Sequence, residues 1–115
     1  MNDSGKAAEQ LAAQFLQRQG LVLLEANYRC RFGEIDLVMR DGKEIVFVEV
    51  RLRSNASFGD AAASITHSKQ KKLVHAAEHY LTEHGSAACR FDAVLLDGPA
   101  PQRVEWIRNA FEACA

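Results

Sequence analysis

The sequence is poor in several things, and each shortage excludes a class of protein. It has three cysteines, at Cys30, Cys89 and Cys114, and no two lie close together. A structural zinc site normally shows a close Cys pair, and a disulfide scaffold needs a denser framework. The pattern predicts free thiols in a reducing cytoplasm. Prolines number only two, in the segment Pro99-Ala100-Pro101, and seven glycines are scattered through 115 residues, so the chain is neither fibrous nor of low complexity. No apolar run approaches the roughly 20 residues that a membrane helix needs. Residues 1–20 read as polar and helical, without the apolar centre of a signal peptide. Charge of one sign is also missing: 14 basic and 15 acidic residues leave a net −1. Taken alone, that balance argues against a strongly basic nucleic-acid binder.

What is present describes an ordinary folded domain. Hydrophobic residues make up 48% and charged residues 25%, a mixture that excludes wholesale disorder. The length predicts one domain over 1–115, which buries roughly two-thirds of its unfolded surface.

A first helix is expected over about 4–19, with Asp3 or Ser4 as N-cap. Ala8, Leu11, Ala12, Phe15 and Leu16 form its apolar stripe. Glu9 lies at the stripe's edge, about 20° around the helix from Leu16. Gly20 stops the helix, and Leu21-Val22-Leu23-Leu24 reads as a short strand. Glu34 to Met39 and Glu44 to Arg51 read as two longer strands. Asp41-Gly42 between them predicts a two-residue type I′ hairpin. An irregular stretch runs from Ser54 to about Ser64. A second helix spans about 66–84, with Leu73, Val74, Ala77, Tyr80 and Leu81 on its apolar side. Strands follow at 90–96 and 103–108, separated by Asp97-Gly98-Pro99-Ala100-Pro101, which cannot stay in a sheet. The order α-β-β-β-α-β-β predicts an α/β protein with a mixed sheet flanked by helices.

The hairpin places charge in an unusual way. A loop of Asp41 and Gly42 puts Asp36 opposite Phe47 and Glu34 opposite Glu49. With side chains alternating between faces, Glu34, Asp36, Phe47, Glu49 and Arg51 share a face. Asp36 and Glu49 are then diagonal neighbours, roughly 7–8 Å apart at the backbone. Glu49 interrupts a run of Ile, Val and Phe that reads as buried, where an ionised carboxylate is costly and would repel Asp36. A hard cation such as Mg²⁺ relieves both problems. The same spacing also suits acids on a solvated face, or paired with Arg51 and Arg53.

Gly33-Glu34-Ile35-Asp36-Leu37-Val38 and Val46-Phe47-Val48-Glu49-Val50-Arg51-Leu52-Arg53 resemble the YraN family of small bacterial proteins. The resemblance extends to Glu9, to Asn27-Tyr28-Arg29, to Ser68-Lys69-Gln70-Lys71-Lys72-Leu73 and to Arg90-Phe91-Asp92, so it covers nearly the whole chain. That family is similar to the PD-(D/E)xK nucleases and to archaeal Holliday-junction resolvases. The resemblance implies a restriction-endonuclease-like fold and a Mg²⁺-dependent (or Mn²⁺-dependent) nuclease acting on DNA, including branched DNA. It implies Asp36 and Glu49 as the motif acids and Glu9 as a third residue reaching the same metal. A resolvase acts as a two-fold dimer, so a homodimer is implied too.

The chain departs from the pattern at one position, where Arg51 replaces the motif lysine. Arginine stabilises charge but does not give up its proton. Lys69 or Lys71 could supply the missing group, which makes Lys69 a candidate catalytic residue beside Asp36, Glu49 and Arg51. The alternative is a module that binds nucleic acid without cutting it, and a protein-interaction adaptor is a third reading. Lys69, Gln70, Lys71 and Lys72 suit phosphate contacts, or simply a solvated helix face, and Arg29, Arg31 and Arg53 extend that surface. Tyr28 and Phe32 could stack on an unpaired base, though core packing suits them better.

Two further features read as structural. His75-Ala76-Ala77-Glu78-His79 matches an inverted zinc-protease signature, but a helical pair near the surface is the better reading. Asp92 reads as a partner for a nearby arginine, and Trp106 as core or sheet-edge packing. A metal on the acids would turn −1 into +1, so the distribution of charge, rather than its sum, carries the inference about nucleic acid.

Overall fold

In the computed structural model, residues 3–53, 65–97 and 103–112 are described. The elements are α1 (Asp3–Arg18), β1 (Val22–Cys30), β2 (Gly33–Asp41), β3 (Glu44–Arg53), α2 (His67–His84), β4 (Cys89–Asp97) and β5 (Arg103–Phe111). This is the expected order. The strands form one sheet in the order β1-β2-β3-β4-β5. All neighbours are antiparallel except β3 and β4, which run parallel. A parallel pair needs a crossover, and α2 supplies it. Cys114 and the Ser54–Ser64 and Gly98–Pro101 stretches lie outside the described residues. Cys30 and Cys89 are free thiols.

The sheet has an apolar cluster on each face. Against α1, Ala8, Ala12, Ala13 and Leu16 pack on Leu37, Met39, Val46, Val48, Val94 and Leu96. Against α2, Leu73, Ala76, Ala77 and Tyr80 pack on Tyr28, Ile35, Val38, Phe47 and Phe91. A central strand buried on both faces needs a near-continuous apolar run, which is what Ile45 to Val50 supplies. The α1 stripe differs from expectation in one residue: Leu11 is exposed and Ala13 is buried. Small alanines let the helix lie close to the strands, and the buried side is centred on Ala8, Ala12 and Leu16. Strand β1 is longer than its apolar start suggests, because Tyr28, Arg29 and Cys30 pair with Ile35, Glu34 and Gly33.

The β2–β3 hairpin corrects the predicted register. Asp41 pairs with Glu44, Arg40 with Ile45, Val38 with Phe47 and Leu37 with Val48. The loop is therefore Gly42-Lys43, one residue later than Asp41-Gly42. Gly42 carries a φ of 62° and Lys43 has no positive φ, the pattern of a type II′ turn, with Gly first, instead of type I′. The physical reason lies on β4. Arg90 binds Asp41 at 3.0 Å and Glu44 at 2.9 Å, which holds those two acids as the closing pair. The pairing sum moves by two, so parity is kept along the paired stretch, and the count brings Asp36 level with Glu49 instead of Phe47, just past the last pair, Leu37 and Val48.

Arg90 also donates from Nε to Asp92, at 3.0 Å to Oδ1. Asp92 is 1% exposed. Its carboxylate accepts further bonds from Trp106 Nε1 at 2.9 Å and the Asn109 backbone N–H at 3.0 Å. Asp92 thus acts as an arginine partner, as its sequence context predicts. The Trp106 ring meets Phe15 edge-on at 6.2 Å. No helix among the described residues is long and apolar enough to cross a membrane.

Candidate active site

Beyond Leu37↔Val48 the recorded pairing of β2 with β3 ends. Asp36 then turns its side chain to the neighbouring strand, and its Oδ2 accepts the Val50 N–H at 2.8 Å. Alternation breaks at the same place: Ile35 packs on the α2 side and Leu37 on the α1 side. The carboxylates meet in the opening this creates. The Asp36 and Glu49 carboxyls lie close enough to shift each other's pKa. Glu9, brought in by α1, lines the same opening beside Asp36. A cavity of about 310 Å³ is lined by Ala8, Glu9, Asp36, Glu49, Val50, Arg51, Leu52 and Lys69.

Two cations reach the same acid. Lys69 Nζ lies 3.1 Å from Glu49 Oε2 and Arg51 Nε lies 3.3 Å from the same oxygen. Lys69 is placed by the start of α2, where Thr66 caps the helix and accepts the Lys69 N–H at 3.2 Å. The structure therefore brings together Glu9, Asp36, Glu49, Arg51 and Lys69, all predicted from sequence.

Burial, followed by the charge of Asp36, pushes the Glu49 carboxyl up to about 7, against the opposing pull of Lys69 and Arg51. Burial also raises Asp36, while the Val50 N–H and the Glu49 carboxyl work to lower it. Glu9 is raised, mainly by burial and by the charge of Asp36. A carboxyl whose folded pKa exceeds its unfolded one stabilises fully below the unfolded value, and that contribution is lost as pH rises through the folded value. Glu49→Gln is therefore expected to change stability little at pH 4 and to stabilise the protein at pH 8, by on the order of 2 kcal/mol. Urea unfolding at the two pH values measures the difference, and an equal effect at both would refute it.

Among the described residues, no three His, Cys, Asp or Glu side chains are gathered tightly enough to cage a metal alone. The acids make an open site instead, running from Glu9 to Asp36 to Glu49. That suits Mg²⁺, which takes one or two carboxylates and keeps several waters instead of entering an all-protein cage. The 310 Å³ opening has room for such waters.

The other predicted basic residues are spread more widely. Arg29 pairs with Glu34 at 3.2 Å across the β1–β2 hairpin and is exposed. Arg31 lies 4.9 Å from the Phe32 ring centroid. Lys72 is exposed beside that hairpin, its Cβ 3.6 Å from where a Gly33 Cβ would stand. Gln70 donates one amide N–H to Ile65 O at 2.9 Å. Lys71 lines a separate cavity with His67, Val74, His75 and Glu78. The Arg53 backbone pairs with Asp97, and its side chain lies outside the described residues. Tyr28 is buried, with its hydroxyl 2.7 Å from His79 Nδ1 and 2.8 Å from Glu83 Oε1. That makes it core rather than a stacking platform, whereas Phe32 is 37% exposed. His75 faces Glu78 and His79 faces Tyr28, which suits a surface pair and not a zinc site.

Sequence reasoning missed Asn27 as part of the site. It lines a cavity together with Glu9 and has a φ of 56°. The available signal was an Asn inside a β-run, a residue that strands disfavour.

The profile of the uncharacterised protein family UPF0102 matches residues 8–96. The chain is 60% identical to a UPF0102 protein of Nitrosomonas europaea over 111 residues, covering 96% of this chain and 94% of that one. It is 58% identical to a UPF0102 protein of Methylobacillus flagellatus, covering 98% and 100%. It is 53% identical to one of Aeromonas hydrophila, covering 93% and 83%. All the acids and cations of the cavity fall inside the matched span, and the chain belongs to the uncharacterised protein family UPF0102, the YraN family.

Proposed function

We propose that this protein is a divalent-metal-dependent endonuclease acting on DNA, branched DNA included. The observation that carries the reading is the pairing of Asp36 with Glu49 in one open cavity, with Lys69 and Arg51 on the same acid. A largely buried acid pair of this kind is costly as a structural device. It is useful where a cation offsets the charge. The resemblance to PD-(D/E)xK nucleases supports the same assignment of Asp36 and Glu49.

Asp36 and Glu49 would hold Mg²⁺ or Mn²⁺, with help from Glu9. A bound ion of this kind supplies Lewis-acid polarisation of a phosphate and activation of water. The chain's own groups do the remainder. Val50's N–H fixes one oxygen of Asp36 and leaves the carboxylate's orientation set. Arg51 and Lys69 put positive charge at the mouth, where phosphate must approach and where negative charge builds in the transition state. Arg51 serves charge alone. Lys69 can also exchange a proton with the attacking water, so it takes the part of the lysine that Arg51 displaces. Lys72, Arg29 and Arg31 at the β1–β2 hairpin would contact backbone phosphates without reading sequence. A homodimer would present two such sites to a junction.

The test is cleavage of a labelled four-way junction and of matched duplex with Mg²⁺ and with Mn²⁺. Metal-dependent nicking of the junction is expected, and Lys69→Gln should slow it by roughly 10²-fold. No cleavage of any DNA with either metal would remove the reading. One observation favours a non-catalytic binding module instead, namely arginine at the lysine position. Arg51→Lys separates the two: a variant that cuts where the native protein does not would identify the native role as binding.

A further inference from the structure

Asn27 lies inside β1. Its backbone takes a φ of 56°, in the left-handed region, which residues other than glycine seldom occupy and which Asn tolerates better than most. The pairing of β1 with β2 runs through Ala26↔Leu37 and resumes at Tyr28↔Ile35. Asn27 and Asp36 are the two residues enclosed between those pairs. On β2 this is the position where the facing of side chains breaks, between Ile35 and Leu37. The Asn27 side chain also lines a cavity together with Glu9 of α1, where its amide favours the charged form of that carboxyl. One residue is thus level with Asp36 by register and beside Glu9 by its side chain.

Glu9 stands between two cavities. One is the acidic cavity described above. The other, of about 270 Å³, is lined by Lys6, Gln10, Ala13, Leu23, Ala26 and Leu37, with Asn27 and Glu9 at its border. Without the amide, Glu9 has room to swing into the second cavity, toward the ammonium of Lys6. We propose that Asn27 is a positioning residue for the acidic site. Its left-handed backbone opens the strand pair at Asp36, and its amide holds the Glu9 carboxylate on Asp36's side of the boundary. The residue type follows from the two tasks. Glycine would keep the backbone and lose the amide, while aspartate would keep the backbone and repel Glu9. A hydrogen bond from an amide N–H to a carboxylate is charge-assisted. The proposal rests on the reading of Glu9, Asp36 and Glu49 as ligands of a divalent cation.

The experiment compares native protein, Asn27→Gly and Asn109→Gly. Asn109 is the other non-glycine residue with positive φ among the described residues, at 51°, and it serves the Asp92 network instead. Mn²⁺ affinity is read by titration calorimetry, and the Glu9 carboxyl carbon by NMR in the metal-free protein. Asn27→Gly should fold, weaken Mn²⁺ by about 5–10-fold and shift the Glu9 resonance. Asn109→Gly should leave both unchanged. Native affinity in Asn27→Gly, an unmoved Glu9 resonance, or an equal loss in Asn109→Gly would each overturn the proposal. Failure of the native protein to bind Mn²⁺ would overturn the metal-site reading instead. The Glu9 resonance would then decide the role of Asn27 by itself.

Discussion

Asp36→Asn is expected to abolish metal-dependent cleavage, by at least roughly 10³-fold, while leaving the protein as stable as before or more so. A factor of 10³ corresponds to about 4 kcal/mol of transition-state stabilisation. The amide oxygen can still accept the Val50 N–H that Asp36 Oδ2 takes at 2.8 Å, so the strand junction survives. The substitution removes the negative charge that raises Glu49, so Glu49 should return toward an ordinary carboxyl pKa. Repulsion inside the site is relieved, and the pull that a divalent cation needs is lost. Activity and stability are therefore predicted to move independently, which distinguishes a functional acid from a structural one. Cleavage assays beside urea unfolding measure both. Cleavage within tenfold of native would place the chemistry elsewhere. A large loss of stability would make Asp36 a structural residue.

Asp92→Ala should do the reverse and cost about 3–4 kcal/mol of stability. Asp92 is almost fully buried and accepts from Arg90, Trp106 and Asn109. Alanine leaves an indole N–H and a backbone N–H without their acceptor and takes one of three acids from Arg90. Asp41 and Glu44 still compensate the guanidinium, which keeps the loss below the upper end for breaking a buried pair. Domains are typically stable by about 5–15 kcal/mol, so the variant should be visibly marginal. Urea unfolding reads the change, and a loss under about 1 kcal/mol would show that the network is not a clamp.

Asp36, half-buried, and Asp92, buried, behave differently, and the sequence distinguishes them only partly. Asp92 follows Arg90 by two residues on a strand, which is a local signal for an ion pair. Asp36 and Glu49 could be placed on one face because hairpin parity survives a shift of the loop. Their exact pairing could not be read. The loop moved from Asp41-Gly42 to Gly42-Lys43 because Arg90, distant along the chain, holds Asp41 and Glu44 together. No local rule about turns contains that information. The extent of β1 was hidden for a similar reason: its second half is polar and is held by pairing with β2.

The element order and α2's role as the crossover were legible because their signals are periodic. Of the basic candidates, Lys69 was placed well, since the cap at Thr66 fixes where α2 begins. Gln70 and Arg29 were harder to judge, because their partners, Ile65 O and Glu34, are settled by the fold. Asn27 carried only the faint signal of an ill-suited residue in a strand. The near-zero net charge says little about partners, because five of the charged groups are drawn together in one cavity.

Titration of native protein and of Asp36→Asn with Mn²⁺, at pH 6 and pH 8, tests the central claim most directly. Binding must displace the proton that the raised Glu49 carboxyl holds at lower pH, so affinity should rise with pH until it passes about 7. The account predicts tighter binding at pH 8 than at pH 6 for the native protein, with proton release at the lower pH, and no measurable binding for Asp36→Asn. Equal affinity in the two proteins, or no binding by the native protein at pH 8, would contradict it.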